Sequence, residues 1–373
     1  MSKQKHPKLE TSSESITNTP NIINTFPASS NLLNKILFFS FIAIFIAMTV
    51  MSFFYGLSGD EVDMNEYGKT ILKYFTSFGS DQSVFRTSDE LNAAKVYNYN
   101  RDGVIQYYGG LFDLICAIIN TISPLDEYVT RHLLNAWAGF LAIFFAAKIT
   151  RDLIGEQAAI IAAWLMFLSP FFLGHAMNNP KDIPFAATYI LSIYFMIRLF
   201  SRLPNPSKKD YLWVILSIGA TINIRVGGIL LIPYLAVFAG ILFIVKNYIQ
   251  QEKIALGTFV KPVLITGVLG YLAGSLLWPY ALQNPFANPL NALTEMSNFK
   301  VNIRQLFEGA KIFSGELPVS FLPKSFIITN SLAVLSGLGL MFIFLWGFRK
   351  HKNASVLYFI FFTAFFPLAY IIY

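Results

Sequence analysis

The segment Gly59 to Tyr67, with the sequence GDEVDMNEY, places four carboxylates within seven residues. The first two, Asp60 and Glu61, follow a long apolar run. In such a half-desolvated setting a carboxylate gains leverage as a general base or as a ligand. The alternative is a solvated acidic loop that starts a helix, because acids favour helix N-termini. The residues alone leave both interpretations open.

A second polar cluster occupies residues 174–185, GHAMNNPKDIPF, between two apolar runs. It contains His175, Asn179, Lys181 and Asp182. Helix capping ahead of the following proline would explain Asp182, but it explains the other polar residues less well. Polar groups at a membrane helix end are costly unless they are paired or used. The cluster is therefore a candidate functional site.

Arg225 is followed by Val226 and two glycines. Its guanidinium fork suits a phosphate, although a salt bridge to an acid of an outer loop would explain it equally well. Tyr107 and Tyr108, beside another pair of glycines, are weaker candidates. They either line a path for lipid or mark the membrane interface.

The composition decides what kind of molecule carries these residues. Of 373 residues, 55% are hydrophobic and 13% are charged, against about 25% charged in a typical soluble domain. The mean hydropathy is +0.53. These values exclude a soluble enzyme and predict an all-α polytopic membrane protein. The single cysteine, Cys116, excludes an internal disulfide and a cysteine-ligated metal site.

A helix needs about 20 apolar residues to cross the bilayer core. By this criterion the sequence predicts about nine spans. They are 33–55, 131–149, 156–174, 183–200, 211–224, 226–245, 258–281, 326–348 and 354–373.

Residues 104–122 decide the topology of the chain. They include Gln106 and Asp113, and they are too polar and too short for a span that faces lipid. If they do not cross and the N-terminus is cytoplasmic, most Lys and Arg residues fall in inner segments. The short outer loops then carry only Lys181 and Arg225, as the positive-inside rule requires. Residues 104–122 are therefore predicted to form a re-entrant or interfacial helix on the outer side.

This topology divides the chain into a disordered cytoplasmic tail, residues 1–31, and one transmembrane domain, residues 32–373. The large outer loops are about 56–130 and 282–325. The net charge of +7 lies mostly on the inner side, where anionic membrane lipid accounts for it, and no nucleic-acid partner is expected. The last apolar run reaches the final residue without a polar flank, which is compatible with a C-terminally truncated piece of a longer protein.

These features together resemble the GT-C superfamily of membrane glycosyltransferases, over about residues 50–370. The most similar branch is family 39, the protein-mannosyltransferase-like and aminoarabinose-transferase-like enzymes of bacteria. The resemblance rests on the pair Asp60-Glu61 after the first span, on the long outer loop that follows, on Asp182 before Pro-Phe, and on Arg225 in a later outer turn. It implies a GT-C-like helical bundle with outer juxtamembrane or re-entrant helices.

The resemblance also implies a reaction. A sugar passes from a polyprenyl-phosphate-linked donor to a hydroxyl of a glycan, lipid or protein acceptor, by direct displacement with inversion. The site would lie on the outer, periplasmic face of the bacterial inner membrane. Asp60 would be the general base, with Glu61 as its alternative. Asp182 would position a substrate or, together with Asp60, hold a divalent cation, Mg²⁺ or Mn²⁺, while Arg225 would contact the carrier phosphate.

The sequence departs from this family at one point. Some relatives use a Lys-Pro pair at the head of the re-entrant helix for the phosphate, where this chain has Gln106-Tyr107-Tyr108-Gly109. The phosphate contact then falls on Arg225, Lys181 or another base. The predicted substrate- and phosphate-binding residues are Arg225, Lys181, His175, Asn179, Tyr107 and Tyr108.

Three other classes were weighed against this interpretation. A transporter or lipid flippase would place ionisable residues near the middle of its spans, at broken helices. A polysaccharide polymerase or ligase would carry clusters of Arg and His in its later outer loops. A structural scaffold would leave Asp60 and Asp182 pointing apart.

Overall fold

A computed structural model describes residues 31–86, 104–298, 303–344, 346–347 and 353–372. Apart from one β-hairpin and several short turns, the secondary structure of this part of the chain is α-helical. The helices are α1 (Asn31–Ser52), α2 (Glu61–Thr76), α3 (Leu111–Asn120), α4 (Glu127–Leu153), α5 (Glu156–Phe167), α6 (Pro170–Asn178), α7 (Asp182–Ser201), α8 (Lys208–Ile224), α9 (Leu231–Ile244), α10 (Leu256–Ser275), α11 (Pro279–Gln283), α12 (Asn288–Ser297), α13 (Phe321–Thr329), α14 (Leu332–Phe344) and α15 (Ala354–Ile372).

Five helical segments are long and apolar enough to cross a membrane: α1, α4, α7, α10 and the segment Val226–Ile249 that contains α9. Two bent pairs also pass this test, α5 with α6 at 66° and α13 with α14 at 118°. The all-α membrane fold predicted from the sequence is thus confirmed. Of the nine predicted spans, seven meet the criterion within the described residues, while α8, with 17 residues, and α15 fall short of it.

Helix α3 has 10 residues, which gives a length of about 15 Å, half of the bilayer core. It cannot cross, in agreement with the prediction for residues 104–122. It packs against α2 and the start of α4. A methyl group at Gly68 of α2 would lie 2.4 Å from the carbonyl oxygen of Asp113 in α3. The two helices therefore touch backbone to backbone.

The apolar core has two main parts. One joins α7, α8, α9 and α10, and includes Phe200, Phe238 and Phe259. The other joins α1, α4, α5 and α6 through small residues such as Ala136 and Ala159. A smaller cluster fixes α2 against the turn that precedes α3. Helices α2 and α3 are thereby held at one end of the bundle, on the ends of α4 and α8.

The second predicted outer loop, 282–325, contains a hairpin that the sequence did not predict. Strand β1 (Arg304–Phe307) pairs antiparallel with β2 (Ala310–Phe313). The two residues between them, Glu308 and Gly309, have φ angles of 50° and 81°, as a two-residue type I′ turn requires. The predicted tail, residues 1–31, lies outside the described residues except for Asn31, where α1 begins.

Candidate active site

Three chain segments meet at one end of the helical bundle: the start of α2, the turn between α6 and α7, and the end of α8. The hydroxyl of Ser58, before α2, donates to the carbonyl of Asn178 at 2.9 Å. The side-chain amide of Asn178 donates in return to the carbonyl of Gly56 at 3.1 Å. These reciprocal bonds hold the start of α2 against the end of α6.

The end of α8 joins this group through an ion pair between Arg225 and Asp182. Asn179 also donates to Asp182, at 3.0 Å. The side chains of Arg225 and Asp182 are 38% and 57% exposed, and ion pairs exposed to this extent typically contribute no more than about 1 kcal/mol. An anionic ligand can therefore replace Asp182 as the partner of Arg225 at little cost. The sequence offered a salt bridge and phosphate binding as alternative explanations of Arg225. In this geometry the two are compatible.

The ring of Tyr108 brings two cations together. The Nζ atom of Lys181 lies 3.9 Å from the ring centroid, and the guanidinium carbon of Arg225 lies 5.9 Å from it. We call Tyr108, Lys181, Asp182 and Arg225 the Tyr108 cluster. Burial raises the pKa of the Tyr108 phenol, against the opposing effect of Arg225, so the phenol stays neutral and available as a donor.

The charge of Lys181 depends on several neighbouring groups. Burial lowers its pKa, and the nearby Arg225 lowers it further. Asp60, Asp113 and Asp63 oppose this shift. The ammonium group is thus partly desolvated among several charges, a setting in which a bound anion would stabilise the charged form.

Asp60 faces this cluster from the start of α2. It is exposed, and although it is the residue just before the helix, its side chain makes no capping hydrogen bond. Asp63 lies three residues further on, a spacing that places both acids on one face of the helix. Burial raises the pKa of Asp63, and repulsion from Asp60 raises it further, while Lys181 opposes the rise. Asp60, Asp63 and Lys181 are therefore electrostatic neighbours.

Glu61, in contrast, points into the protein. Its side chain is fully buried, with one carboxylate oxygen 2.9 Å from Nε2 of His132. The backbone N–H of Ser58 donates to the other oxygen at 2.7 Å. Glu61 therefore holds α2 to α4 and is not placed to contact an acceptor, so the predicted exchange of roles with Asp60 finds no support in the geometry. His132 was not predicted, because no local pattern links residues 61 and 132.

A second buried pair lies beside it. Arg131 of α4 donates to Asp113 of α3 at 2.6 Å, and the two side chains are 0% and 6% exposed. Two further nitrogens of Arg131, Nε and one Nη, are buried without a hydrogen-bond partner in the described part of the chain. We call Glu61–His132 and Asp113–Arg131 the buried pairs. They lie beneath the Tyr108 cluster and fix α2 and α3 on α4.

Asn179 organises the turn before α7. Its side-chain oxygen accepts from the backbone N–H of Asp182 at 2.9 Å and of Lys181 at 3.3 Å. Its amide donates to Nδ1 of His175 at 2.9 Å, which leaves the proton of that ring on Nε2. Asn179, rather than Asp182, satisfies the start of the helix. Helix capping, which was the alternative explanation of Asp182, is therefore wrong. Its carboxylate is engaged by Arg225 and Asn179 instead.

Tyr107 does not join the cluster. Its ring packs edge-on against Tyr280, with 5.3 Å between the centroids. The neighbouring carbonyl of Gln106 accepts from the indole of the buried Trp278 at 2.8 Å, and the Tyr67 hydroxyl donates to the carbonyl of Tyr108 at 2.8 Å. Tyr107 thus anchors the segment that presents Tyr108.

Asp182 offers no unengaged oxygen to the predicted divalent cation in this structure. Mg²⁺ is usually held by one or two carboxylates together with substrate phosphates. One oxygen of Asp182 is engaged by Arg225 and the other by Asn179. No group of three His, Cys, Asp or Glu side chains in the described ranges could hold a metal ion. The divalent cation stays a prediction, and the chemistry below is derived from the side chains of the protein.

The comparisons with known proteins support the class that this arrangement suggests. Residues 111–271 match the family model of dolichyl-phosphate-mannose-protein mannosyltransferases. That stretch runs from α3 into α10, and it includes Lys181, Asp182 and Arg225 but not Asp60. No curated protein matches the sequence.

Among solved structures, the chain is similar to ArnT from Cupriavidus metallidurans, crystallised with undecaprenyl phosphate. The TM-score is 0.54 at 16% identity, over 88% of this chain and 53% of ArnT. At this identity the likeness shows a shared fold, and the chain spans about half of the length of ArnT. The two findings together support the GT-C superfamily of membrane glycosyltransferases, so the resemblance stated from the sequence is confirmed.

Proposed function

We propose that this protein transfers a sugar from a polyprenyl-phosphate-linked donor to an acceptor hydroxyl, at the bundle end that carries the Tyr108 cluster. The observation that carries the proposal is the pair of cations on Tyr108, with Asp60 and Asp63 as electrostatic neighbours. The cations suit the phosphate that leaves, and the acids suit the hydroxyl that attacks. Both sets lie at the ends of apolar helices, where the membrane surface would be.

Arg225 and Lys181 would bind the carrier phosphate. Arg225 offers a planar fork that can move from Asp182 to a phosphate. Lys181 offers a point charge that is already partly desolvated. Together they would stabilise the negative charge that develops as the bond between sugar and phosphate breaks. The undecaprenyl phosphate in the ArnT crystal supports this type of carrier.

Asp60 would act as the general base. The acceptor oxygen attacks the anomeric carbon of the sugar as its proton passes to the Asp60 carboxylate. The bond from the anomeric carbon to the phosphate oxygen breaks, and the electron pair leaves with the polyprenyl phosphate. This single displacement inverts the anomeric configuration. Asp63 is close enough to influence Asp60, but Asp60 is the exposed acid of the two. An acceptor hydroxyl can reach Asp60 directly, so we assign it as the base.

We place the site on the periplasmic side of a bacterial inner membrane. The positive-inside rule supports this orientation, because the described ends opposite the site carry several Lys and Arg residues. A long prenyl chain would then lie in the bilayer while its phosphate and sugar reach the surface. Hexose and pentose donors remain equal candidates, as do glycan, lipid and protein acceptors.

The transporter alternative receives less support. Carriers place ionisable groups near the middle of their spans. In the described spans α4 and α7, the charged residues lie within about two turns of either end. They are Glu127, Arg131, Lys148, Arg151, Asp152, Asp182 and Arg198.

The proposal can be tested without knowing the sugar. Membranes from cells that express the chain are labelled in their pool of polyprenyl-phosphate sugars, and the label that moves into the envelope fraction is counted. We expect transfer with the wild-type chain and none with Asp60→Asn. Asp126→Asn is the matched control, because Asp126 caps α4 at the same end and Asn caps equally well. Full transfer by Asp60→Asn would refute the base, and no transfer by the wild type above vector background would refute the function.

A further inference from the structure

A cavity of about 350 Å³ lies between α4 and α7 at the end of the bundle opposite the Tyr108 cluster. Its volume falls within the range of small-ligand sites. Four basic side chains from the two helices and from the residue that follows α7 line it, against one acid. The charged lining residues are Lys148, Arg151, Asp152, Arg198 and Arg202.

The basic side chains are held in place by their neighbours. Arg198 and Arg202 both donate to the buried Asp210, at 3.2 and 2.8 Å. The Nζ atom of Lys148 lies 5.4 Å from the ring centroid of Tyr194, another lining residue. The site is therefore built by packed helices and not by mobile surface loops.

The charges of this cavity do not cancel. Asp152 and Asp210 offset two of the four cations. The carboxyl ends of α4 and α7 contribute roughly half a negative charge each, which offsets about one more. An excess of about one positive charge remains in a half-buried setting. A single phosphodiester anion would balance it.

The surroundings favour a lipid as the source of that anion. Tyr194 contacts Phe145 and Phe195, with ring centroids 5.2 Å apart in each case. Phe195 stacks on Trp213 of α8 at 5.4 Å, and Trp213 is 47% exposed. This aromatic wall runs from the cavity to the apolar outside of the bundle, where acyl chains would lie. Basic pockets between membrane helices are known sites for anionic lipid head groups.

We propose that this cavity binds the phosphodiester head group of an anionic phospholipid, with its acyl chains along the aromatic wall. In the orientation proposed above this lipid belongs to the cytoplasmic leaflet. The site is separate from the transfer reaction, because none of its lining residues belongs to the Tyr108 cluster or to the buried pairs. It would anchor the inner ends of α4 and α7, the two helices whose outer ends carry Arg131 and Asp182.

Native mass spectrometry of the purified full chain tests this proposal, with dioleoyl phosphatidylglycerol, dioleoyl phosphatidylcholine and glycerol 3-phosphate as probes. The test variant is Lys148→Gln with Arg151→Gln, which leaves the partners of Asp210 intact. The control is Lys209→Gln with Lys253→Gln, two exposed lysines at the same end that do not line the cavity. Thermal unfolding of both variants checks that they fold.

We expect the wild type and the control to prefer phosphatidylglycerol over phosphatidylcholine. The test variant should lose roughly thirtyfold in phosphatidylglycerol affinity, the effect of two cations near an anionic lipid. An equal loss in the control would show diffuse surface charge and overturn the site, as would the absence of any preference in the wild type. Displacement of phosphatidylglycerol by millimolar glycerol 3-phosphate would show a soluble phosphate ester as the ligand and overturn the lipid. If the test variant fails to fold, Lys148→Arg with Arg151→Lys must retain wild-type affinity, and a loss there overturns the proposal.

Discussion

Asp60 and Glu61 are neighbours in the sequence, yet they lie in opposite surroundings. Asp60 is exposed beside the Tyr108 cluster, whereas Glu61 is fully buried against His132. The same contrast separates the exposed ion pair Asp182–Arg225 from the buried pair Asp113–Arg131. Exposed charges can exchange partners with a ligand, because water already screens them. Buried charges cannot, because breaking such a pair leaves an uncompensated charge. In the proposed site, the exposed charges would thus take part in the reaction, while the buried pairs hold the helices in position.

The largest expected effect is the loss of sugar transfer on substitution of the exposed Asp60. Asp60→Asn removes the base but no buried contact, so transfer should fall by about 10²–10⁴-fold while the melting temperature stays unchanged. Sugar transfer by membranes and thermal unfolding of the purified chain measure the two quantities. A drop in melting temperature as large as that of a buried-pair variant would contradict the distinction between the exposed charges and the buried pairs.

The buried side should show the converse behaviour. Arg131→Met leaves Asp113 buried without its partner, and we expect a loss of about 3–5 kcal/mol in stability. The double variant Arg131→Met with Asp113→Leu should recover most of this loss, because no buried charge remains. Thermal unfolding in detergent provides the comparison. Equal stability of the single variant and the wild type would contradict the role of the pair.

The titration of Lys181 gives a second test of the exposed charges. Because burial lowers the pKa of Lys181 from its ordinary value of 10.5, its ammonium group loses its proton at a lower pH than an exposed lysine. Affinity for undecaprenyl phosphate should therefore fall, by up to about tenfold, as the pH rises through that lowered pKa. In Lys181→Arg the fall should vanish, because arginine keeps its charge. An identical pH profile in both proteins would exclude Lys181 from phosphate binding.

Variants of Asn179 should have smaller effects, on both stability and transfer. Asn179→Ala removes the oxygen that accepts from the start of α7, and such caps contribute about 1 kcal/mol. Asn179→Asp keeps that oxygen but loses the amide that donates to His175 and Asp182. We expect the alanine variant to lower the melting temperature and the aspartate variant to lower transfer more than stability. Equal losses of stability in both would argue against a separate cap.

The smallest expected effect is that of metal removal. The carboxylate oxygens of Asp182 are engaged by Arg225 and Asn179, so transfer should continue in excess EDTA. Addition of Mg²⁺ or Mn²⁺ after dialysis should change the rate less than twofold. Loss of transfer in EDTA with recovery on Mn²⁺ would show that Asp182 exchanges Arg225 for a metal.

The sequence predicted best those features that depend on the apolar or polar character of consecutive residues. Apolar length predicted the spans, and the polarity of residues 104–122 predicted a helix that stays on one side. The residues of the Tyr108 cluster were found because polar groups between apolar runs are conspicuous. The partners were less accessible. His132 and Arg131 lie near the start of α4, and nothing in the sequence links them to Glu61 and Asp113.

The lack of information on packing also explains why the sequence did not assign the roles of Asp182 and of the two tyrosines. Asp182 has the residue type of a cap, yet the side-chain oxygen of Asn179 accepts from the two backbone N–H groups at the start of the helix. Tyr107 and Tyr108 are adjacent and chemically identical, so only the packing of Tyr107 on Tyr280 decides which ring meets the cations. Residue type predicts what a side chain can do, while packing decides which of two equivalent side chains does it.

The close approach of Gly109 to α8 has a consequence for biogenesis. A methyl group at Gly109 would lie 2.1 Å from the carbonyl oxygen of Asn223, so the segment before α3 rests directly on a helix made much later. Chains emerge from the ribosome N-terminus first, and closing so long a loop carries an entropic cost. The segment with Tyr108 therefore cannot reach its final contacts until α8 has been made. A nascent chain that stops before the end of α8 has the acids of the site without its arginine.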